Sequence, residues 1–285
     1  SRGLGDVYKR QDLLLFGDLP SGAGLSSSAS LEVLIGFIMR DLYGFDVTNV
    51  DLALIGQQAE HEFCGVNCGI MDQFAVAMGK KDHALLLNTK TLDYEYIPIT
   101  LCGVKLIIAN SNKKHKLGES KYNERREECE TALEEISQAI GIHALCDLDE
   151  KTWNLYQVTV KDDDRKRRVK HAVTENARTK QAAAALKNGE LKTFGELMKA
   201  SHQSLSEDYE VTGDEMDALA EAAWQQDGVL GSRMTGGGFG GSTISLVEEN
   251  FVDEFIQETG RIYTEKTGLS ADFYVVEIGD GPVVQ

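Results

Sequence analysis

The sequence predicts an α+β fold in two domains, on three observations. Apolar residues recur at helical spacing from residue 31 and give way to two short β-rich runs before residue 100. A strand-like run at 104–109 then leads into long, charge-rich helices, and this change of texture puts the domain boundary near residue 100. The chain closes on strand, helix and strand, an order that lays helices on an antiparallel sheet. With 285 residues and 42% hydrophobic side chains, it can bury a substantial core in two units.

The elements follow in order. Residues 1–11, SRGLGDVYKRQ, are polar and without period, and are expected to be a foreign or junction segment outside the fold. An apolar strand is expected at Leu13 to Phe16. The spacing of Leu31, Leu34, Ile35, Ile38, Met39 and Leu42 predicts a helix stopped by Gly44. Thr48 can cap a second helix running to about Phe63, and a third should begin near Gly69 and carry Phe74, Ala75 and Met78 into the core. Short strands are expected at Ala84 to Asn88, Tyr94 to Ile99 and Val104 to Ala109. Helices then extend to about Gln226, followed by a strand at Ser242 to Val247, a helix from Phe251 to Thr267 and a strand from Phe273 to Glu277. There is no repeat or low-complexity tract, and only three prolines.

Charge and cysteine content exclude several functions. A net charge of −17, from 46 acidic and 29 basic residues, argues against a surface that tracks nucleic acid or anionic lipid, so any bound phosphate must be held locally. No apolar run is long enough for a membrane span or a signal-peptide core, and a cytoplasmic protein is expected. Cys64, Cys68, Cys102, Cys129 and Cys146 are scattered and lack CxxC spacing, which predicts reduced thiols rather than disulfides or a zinc site.

Three segments carry chemistry. The first, Pro20 to Ala29 (PSGAGLSSSA), lies where a strand should pass into an amphipathic helix. Its glycines permit close backbone approach, the helix start presents unpaired N–H groups, and three serines exceed what one cap needs. That combination reads as an anion site, in which one hydroxyl could also ligate a hard cation such as Mg²⁺. The Walker pattern is absent, so this is not a P-loop. The second segment runs from Glu60 to Phe74 and offers one carboxylate late in a helix and another, Asp72, at the start of the next. Facing one cavity, one could complete a Mg²⁺ shell and the other sit beside an attacking hydroxyl. Taken alone, Asp72 is equally a first-turn acid favoured by the dipole, and Glu60 a solvated face residue. The third, Met234 to Ser242, has five glycines in the six positions 236–241. It contains a formal GxGxxG, but a strand follows where a dinucleotide fold needs a helix, so close approach of its backbone to a ligand or another loop is the better account.

Together these segments resemble the GHMP kinase superfamily and, within it, the galactokinase family. PSGAGLSSSAS is similar to the superfamily's phosphate loop and MTGGGFGGSTISLV to its C-terminal glycine motif. GVNCGIMDQF, and the stretch from Asn110-Ser111-Asn112 to Tyr122-Asn123-Glu124-Arg125-Arg126, resemble galactokinases in particular. The resemblance spans the chain from about Asp12 to its end. It implies an α/β N-domain, of which residues 12–100 are an incomplete part, and a ferredoxin-like α+β C-domain over residues 101–285. It further implies ATP and Mg²⁺ as cofactors, galactose as substrate, phosphorylation at the anomeric hydroxyl, and a monomer without nucleic-acid or membrane partners.

Site residues follow from the same resemblance. Pro20, Gly22, Ala23, Gly24, Leu25, Ser26, Ser27 and Ser28 would wrap the nucleotide phosphates, with Ser28 and Glu60 as Mg²⁺ ligands. Asp72 would be the base, Gly69, Asp72 and Tyr122 would line the sugar pocket, and Lys114 would face the phosphates unless it is a solvated lysine among Lys113, Lys116 and Lys121. Galactokinases carry, ahead of these segments, a motif resembling GRVNLIGEHTDYNGG that supplies an arginine partner for the aspartate and side chains that hold the sugar. Residues 1–11 stand in its place, so this chain alone is expected to be inactive. The rivals are another GHMP sugar kinase, such as one for N-acetylgalactosamine, and a non-catalytic sensor. Sensor relatives are altered in the phosphate loop, whereas Ser26 to Ser30 is intact here.

Overall fold

The computed structural model describes residues 12–20, 23–113 and 118–284. The first unit contains α1 (Ser27–Tyr43), α2 (Asn49–Ala59), α3 (Met71–Met78) and a hairpin of β1 (His83–Leu87) and β2 (Tyr94–Pro98). Gly44 closes α1 in the left-handed conformation, its N–H bonded to the Arg40 carbonyl. Thr48 opens α2 with a full capping box, exchanging hydrogen bonds with Asp51. Val33, Ala53, Ile70, Phe74 and Ala77 pack where the three helices meet.

Two expectations fail in this unit. Residues 12–17 form no strand, and Leu14 and Phe16 are 97% and 93% exposed. An apolar run becomes a strand only beside a partner, and no described strand lies there. The third helix starts at Met71 and buries Phe74 and Ala77, with Met78 half-buried, while Ala75 faces outward. The buried face is the i, i+3, i+4 stripe from Phe74, and Ala75 lies a hundred degrees off it.

The second unit is built on β3 (Val104–Asn110), β4 (Val229–Thr235), β5 (Ser242–Glu248) and β6 (Asp272–Val276), an antiparallel sheet in the order β4-β5-β3-β6. Its helices are α4 (Gly118–Ser137), α5 (Glu150–Tyr156), α6 (Asp163–Lys187), α7 (Leu191–Glu207), α8 (Asp214–Trp224) and α9 (Val252–Thr267). The β3–helices–β4–β5–α9–β6 path with this strand order is the ferredoxin-like arrangement. Alternation along β3 divides its two faces. Val104 joins Met198 of α7 and Leu246, while Ile107 and Ala109 pack with Ala223, Leu219, Phe255 and Tyr263 of α8 and α9. Helices therefore pack on an antiparallel sheet, as expected of an α+β layer, and here they cover both of its faces. Strand β4 was not anticipated from the sequence.

The units touch beyond the 98–104 connection. Ile97 of the hairpin packs on Ala183 and Leu186 of α6. After β6 the chain returns to the first unit, where the Asp280 carboxylate accepts the Lys81 N–H at 2.8 Å and the Gly281 N–H donates to the Gly79 carbonyl at 2.8 Å. No disulfide joins any of the five cysteines. Among the described residues, no helix is long and apolar enough to cross a membrane.

His171 of α6 makes stability depend on pH. It is 8% exposed, Nδ1 lies 3.0 Å from the Ser204 hydroxyl, and the ring stacks on Tyr209 at 4.6 Å. Burial pushes its imidazole down from 6.5 to about 4, against the opposing charge of Glu175. Between those values the unfolded chain binds the proton and the folded one does not, so stability falls as pH drops through this window, by about 3 kcal/mol in all. Urea midpoints measured from pH 7 to pH 4 should fall less steeply in His171→Gln than in the wild type. Equal slopes would show that this histidine does not set the response.

Candidate active site

A cavity of about 460 Å³ opens where the two units meet. Ser28, Glu60, Cys68, Gly69, Asp72 and Gln73 line it from the first unit, and Tyr122, Arg125, Tyr209, Met234, Gly236 and Gly237 from the second. Ser28, Glu60, Gly69, Asp72 and Tyr122, all singled out from the sequence, therefore share one cavity. Pro20, Ala23, Gly24, Leu25, Ser26 and Ser27 do not line it. Gly22 and Lys114 lie outside the described residues.

Each side chain is placed by its local structure. Ser26 is the N-cap of α1, with φ 54° and no side-chain cap hydrogen bond, and Ser27 and Ser28 follow as exposed residues of the first turn. A helix start with several hydroxyls and no side-chain cap from Ser26 suits an anion. Glu60 opens a π-helical turn, Glu60–Cys64, which ends at Gly65 and sends the chain back over the cavity. Gln57 Nε2 and His61 Nε2 both contact the Cys68 carbonyl, at 3.2 and 2.8 Å, and anchor that return. Asp72 then falls in the first turn of α3.

The glycine-rich turn packs on Ala23 and Gly24, in the loop ahead of α1. Gly236 has φ 81°, and a Cβ there would lie 2.8 Å from the Gly24 carbonyl oxygen. The Ser242 hydroxyl donates to the Ala23 carbonyl at 2.7 Å, and the Ser111 N–H donates to the Gly241 carbonyl at 2.9 Å. Of the two accounts open for these glycines, the structure realises approach to another loop. From the opposite wall, the Tyr122 ring comes within 3.7 Å of where a Gly237 Cβ would sit. Arg125 Nε donates to the Tyr209 carbonyl at 2.9 Å, bracing the 209–211 wall.

Negative charge dominates the floor. Glu60 is 9% exposed and forms no ion pair among the described residues, and Asp72 forms none either. The Cys68 thiol is pushed up first by burial and then by the charge of Glu60, with Glu32 and Asp72 adding to it. Burial also raises the Glu32 carboxyl; Gln73 opposes this and Glu60 reinforces it. A buried carboxylate without a cationic partner is costly and favours a bound cation. Oxygen donors from Ser28 and Glu60 fit Mg²⁺, which keeps waters and substrate phosphate in its shell. Among the described residues no three His, Cys, Asp or Glu side chains are grouped so as to hold a metal ion by themselves.

Comparison with known proteins narrows the family. The GHMP kinases N terminal domain matches residues 3–80, and the GHMP kinases C terminal domain matches residues 182–261. Galactokinase of Ligilactobacillus salivarius (strain UCC118) is 51% identical over 279 residues, covering 98% of this chain and 72% of that protein. The chain belongs to the galactokinase family. Galactokinase of Bacillus subtilis (strain 168) is 50% identical over 270 residues, 95% of this chain and 69% of that protein. The crystal structure of Lactococcus lactis galactokinase complexed with galactose superposes with a TM-score of 0.91 at 45% identity, covering 93% of this chain and 68% of that one. The crystal structure of L. major mevalonate kinase in complex with R-mevalonate shares the fold at a TM-score of 0.56 and 16% identity, covering 89% of this chain and 66% of that one.

Sequence reasoning missed Glu32, Gln73 and Arg125. Glu32 sits four residues after Ser28, hence on the same face of α1, and Gln73 adjoins Asp72. Both signals were present but carried no chemistry without the fold.

Proposed function

We propose that the chain is an ATP-dependent sugar kinase that transfers the γ-phosphoryl group to the anomeric hydroxyl of galactose. The observation that carries this is the single cavity that collects Ser28, Glu60, Gly69, Asp72 and Tyr122 from separate segments of a galactokinase-family chain. The start of α1 and the loop before it hold the nucleotide phosphates through backbone N–H groups and serine hydroxyls. Ser28 and Glu60 hold Mg²⁺, which when bound neutralises charge on the transferring group. Asp72 accepts the proton of the attacking hydroxyl or orients it, while Gly69 and Tyr122 shape the sugar pocket. Phosphoryl transfer requires mainly positioning and charge neutralisation, which this set of groups can supply without a covalent intermediate. The domain boundary near residue 100 then runs beside the cleft. The protein works as a cytoplasmic monomer with an acidic surface.

Sugar-dependent ADP release tests the reading. The chain is assayed beside a version in which the N-terminal segment of a galactokinase precedes residue 12. Galactose should be phosphorylated in preference to N-acetylgalactosamine, with transfer to the anomeric oxygen visible by phosphorus NMR. A preference for N-acetylgalactosamine, or ADP release with no sugar in either version, would overturn it.

A further inference from the structure

We infer that Arg126 is a positioning residue for the sugar pocket: from α4 of the second unit it holds the 65–70 loop of the first, and so sets where Gly69 and Asp72 stand. Arg126 Nη1 donates to the Asn67 carbonyl at 2.7 Å. Its Nε donates to Glu130 Oε1, one helical turn further on, at 2.8 Å. The planar guanidinium serves both partners at once, so Glu130 fixes the direction in which the fork points at the loop.

The next carbonyl along the loop is held from the other side. The Cys68 oxygen meets Gln57 Nε2 at 3.2 Å and His61 Nε2 at 2.8 Å, both from the first unit. Successive peptide groups are thus gripped by the two units in turn, and the residue that follows them is Gly69. Tyr122 stands four residues before Arg126, hence on the same face of α4, and lines the same cavity as Gly69 and Asp72. One helix face therefore supplies a wall of the pocket and holds the loop of the facing wall, and the contact sets the span between them. Stability is a poor account of it. Both Arg126 and Glu130 are exposed, and an exposed ion pair contributes little to folding. A charge-assisted bond to a backbone carbonyl is instead directional, and this one ties a loop of one unit to a helix of the other.

The inference rests on the reading of Gly69, Asp72 and Tyr122 as the sugar pocket, and the experiment keeps the two apart. Amide hydrogen exchange is followed on the full 285-residue chain. The Val66 and Cys68 N–H groups donate to the Glu60 and Val66 carbonyls, at 3.1 and 2.9 Å, and report opening of the loop. Arg126→Met should speed their exchange about tenfold, while Arg126→Lys, which keeps the charge and a donor, should stay within about threefold of the wild type. Exchange in β3 and the thermal midpoint should not change in either, as they would if the substitution loosened the fold. Galactose kinetics follow in the form of the protein that turns over the sugar. There Arg126→Met should raise the KM for galactose about tenfold and leave the KM for ATP alone. Loop exchange like the wild type in Arg126→Met overturns the inference, as does an Arg126→Lys loop no slower than that of Arg126→Met, or faster exchange with an unchanged galactose KM. Gly69→Val is the control for the pocket, since a Cβ at Gly69 meets nothing within 4 Å and the new side chain has room to project. If it leaves the galactose KM unchanged, the reading of the pocket fails; if it alone raises that KM, only the positioning role fails.

Discussion

Asp72→Asn lowers galactose phosphorylation by about 10²–10⁴-fold while nucleotide affinity stays where it was. The amide keeps the volume of the side chain and its place in the first turn of α3, so neither the helix nor the cavity wall need move. What is lost is a charge and a proton acceptor at a point shared with Ser28 and Glu60. An attacking hydroxyl without that acceptor must shed its proton to water, and the cost falls on kcat rather than on KM for ATP. The measurement is a full kinetic comparison in whichever form of the protein turns over galactose, with nucleotide binding determined separately by calorimetry. A variant that keeps more than half the wild-type kcat would remove Asp72 from the chemistry.

Arg168→Met should cost about 3 kcal/mol of stability, because it breaks a buried charge network from its centre. Arg168 is 1% exposed, and its guanidinium donates to Glu128 at 2.7 Å, to the Asp208 carbonyl at 2.7 Å and to Glu210 at 2.6 Å. The Arg168 hydrogen bond is the first reason the Glu210 carboxyl is held below its usual range, with burial opposing and Arg167 assisting. Methionine fills much of the space but leaves the Asp208 carbonyl without that donor and Glu128 with less positive charge. Glu128 and Glu210 keep 21% and 42% exposure, so water recovers part of the loss and the estimate sits at the low end of the range for buried pairs. The thermal midpoint should fall by about 6–12 °C. Glu210 lies between Tyr209 and Val211, which line the cavity and which Arg125 also braces at the Tyr209 carbonyl, so sugar affinity should weaken along with stability. A midpoint within 2 °C of the wild type, or about 1 kcal/mol, would show the network to be dispensable.

The sequence made the α+β architecture and the three site segments legible because each had a local signature. Helical periodicity marked α1, the Thr48 cap marked α2, and glycine and serine density marked the two loops that turn out to pack together. Strand β4 had no such signature. Its Gly231 replaces a side chain because the α7 backbone lies directly on it: a Cβ at Gly231 would come within 2.2 Å of the Gly195 carbonyl oxygen. That close approach erases the alternation by which strands are recognised. The opposite error occurred at Leu13 to Phe16, where composition suggested a strand and pairing, which composition does not encode, was absent among the described residues. Glu60 and Asp72 were legible as carboxylates that could face one cavity, but each had an equally plain reading as a dipole-favoured or solvated acid. Only the π-turn after α2, a backbone feature with no sequence marker, turns them toward the same space.

The return of the chain after β6 bears on how the cleft can move. The polypeptide crosses between the units once at residues 98–104 and again at residues 276–281, where Lys81 and Gly79 hold the tail by two backbone-centred hydrogen bonds. A body attached at one point can swivel freely about it. Attached at two, it resists free swivelling, and any larger movement must also part the Ser242–Ala23 hydrogen bond and the packing of Gly236 on Gly24. The second crossing thus works as a tether that holds the walls bearing Asp72 and Tyr122 near one another.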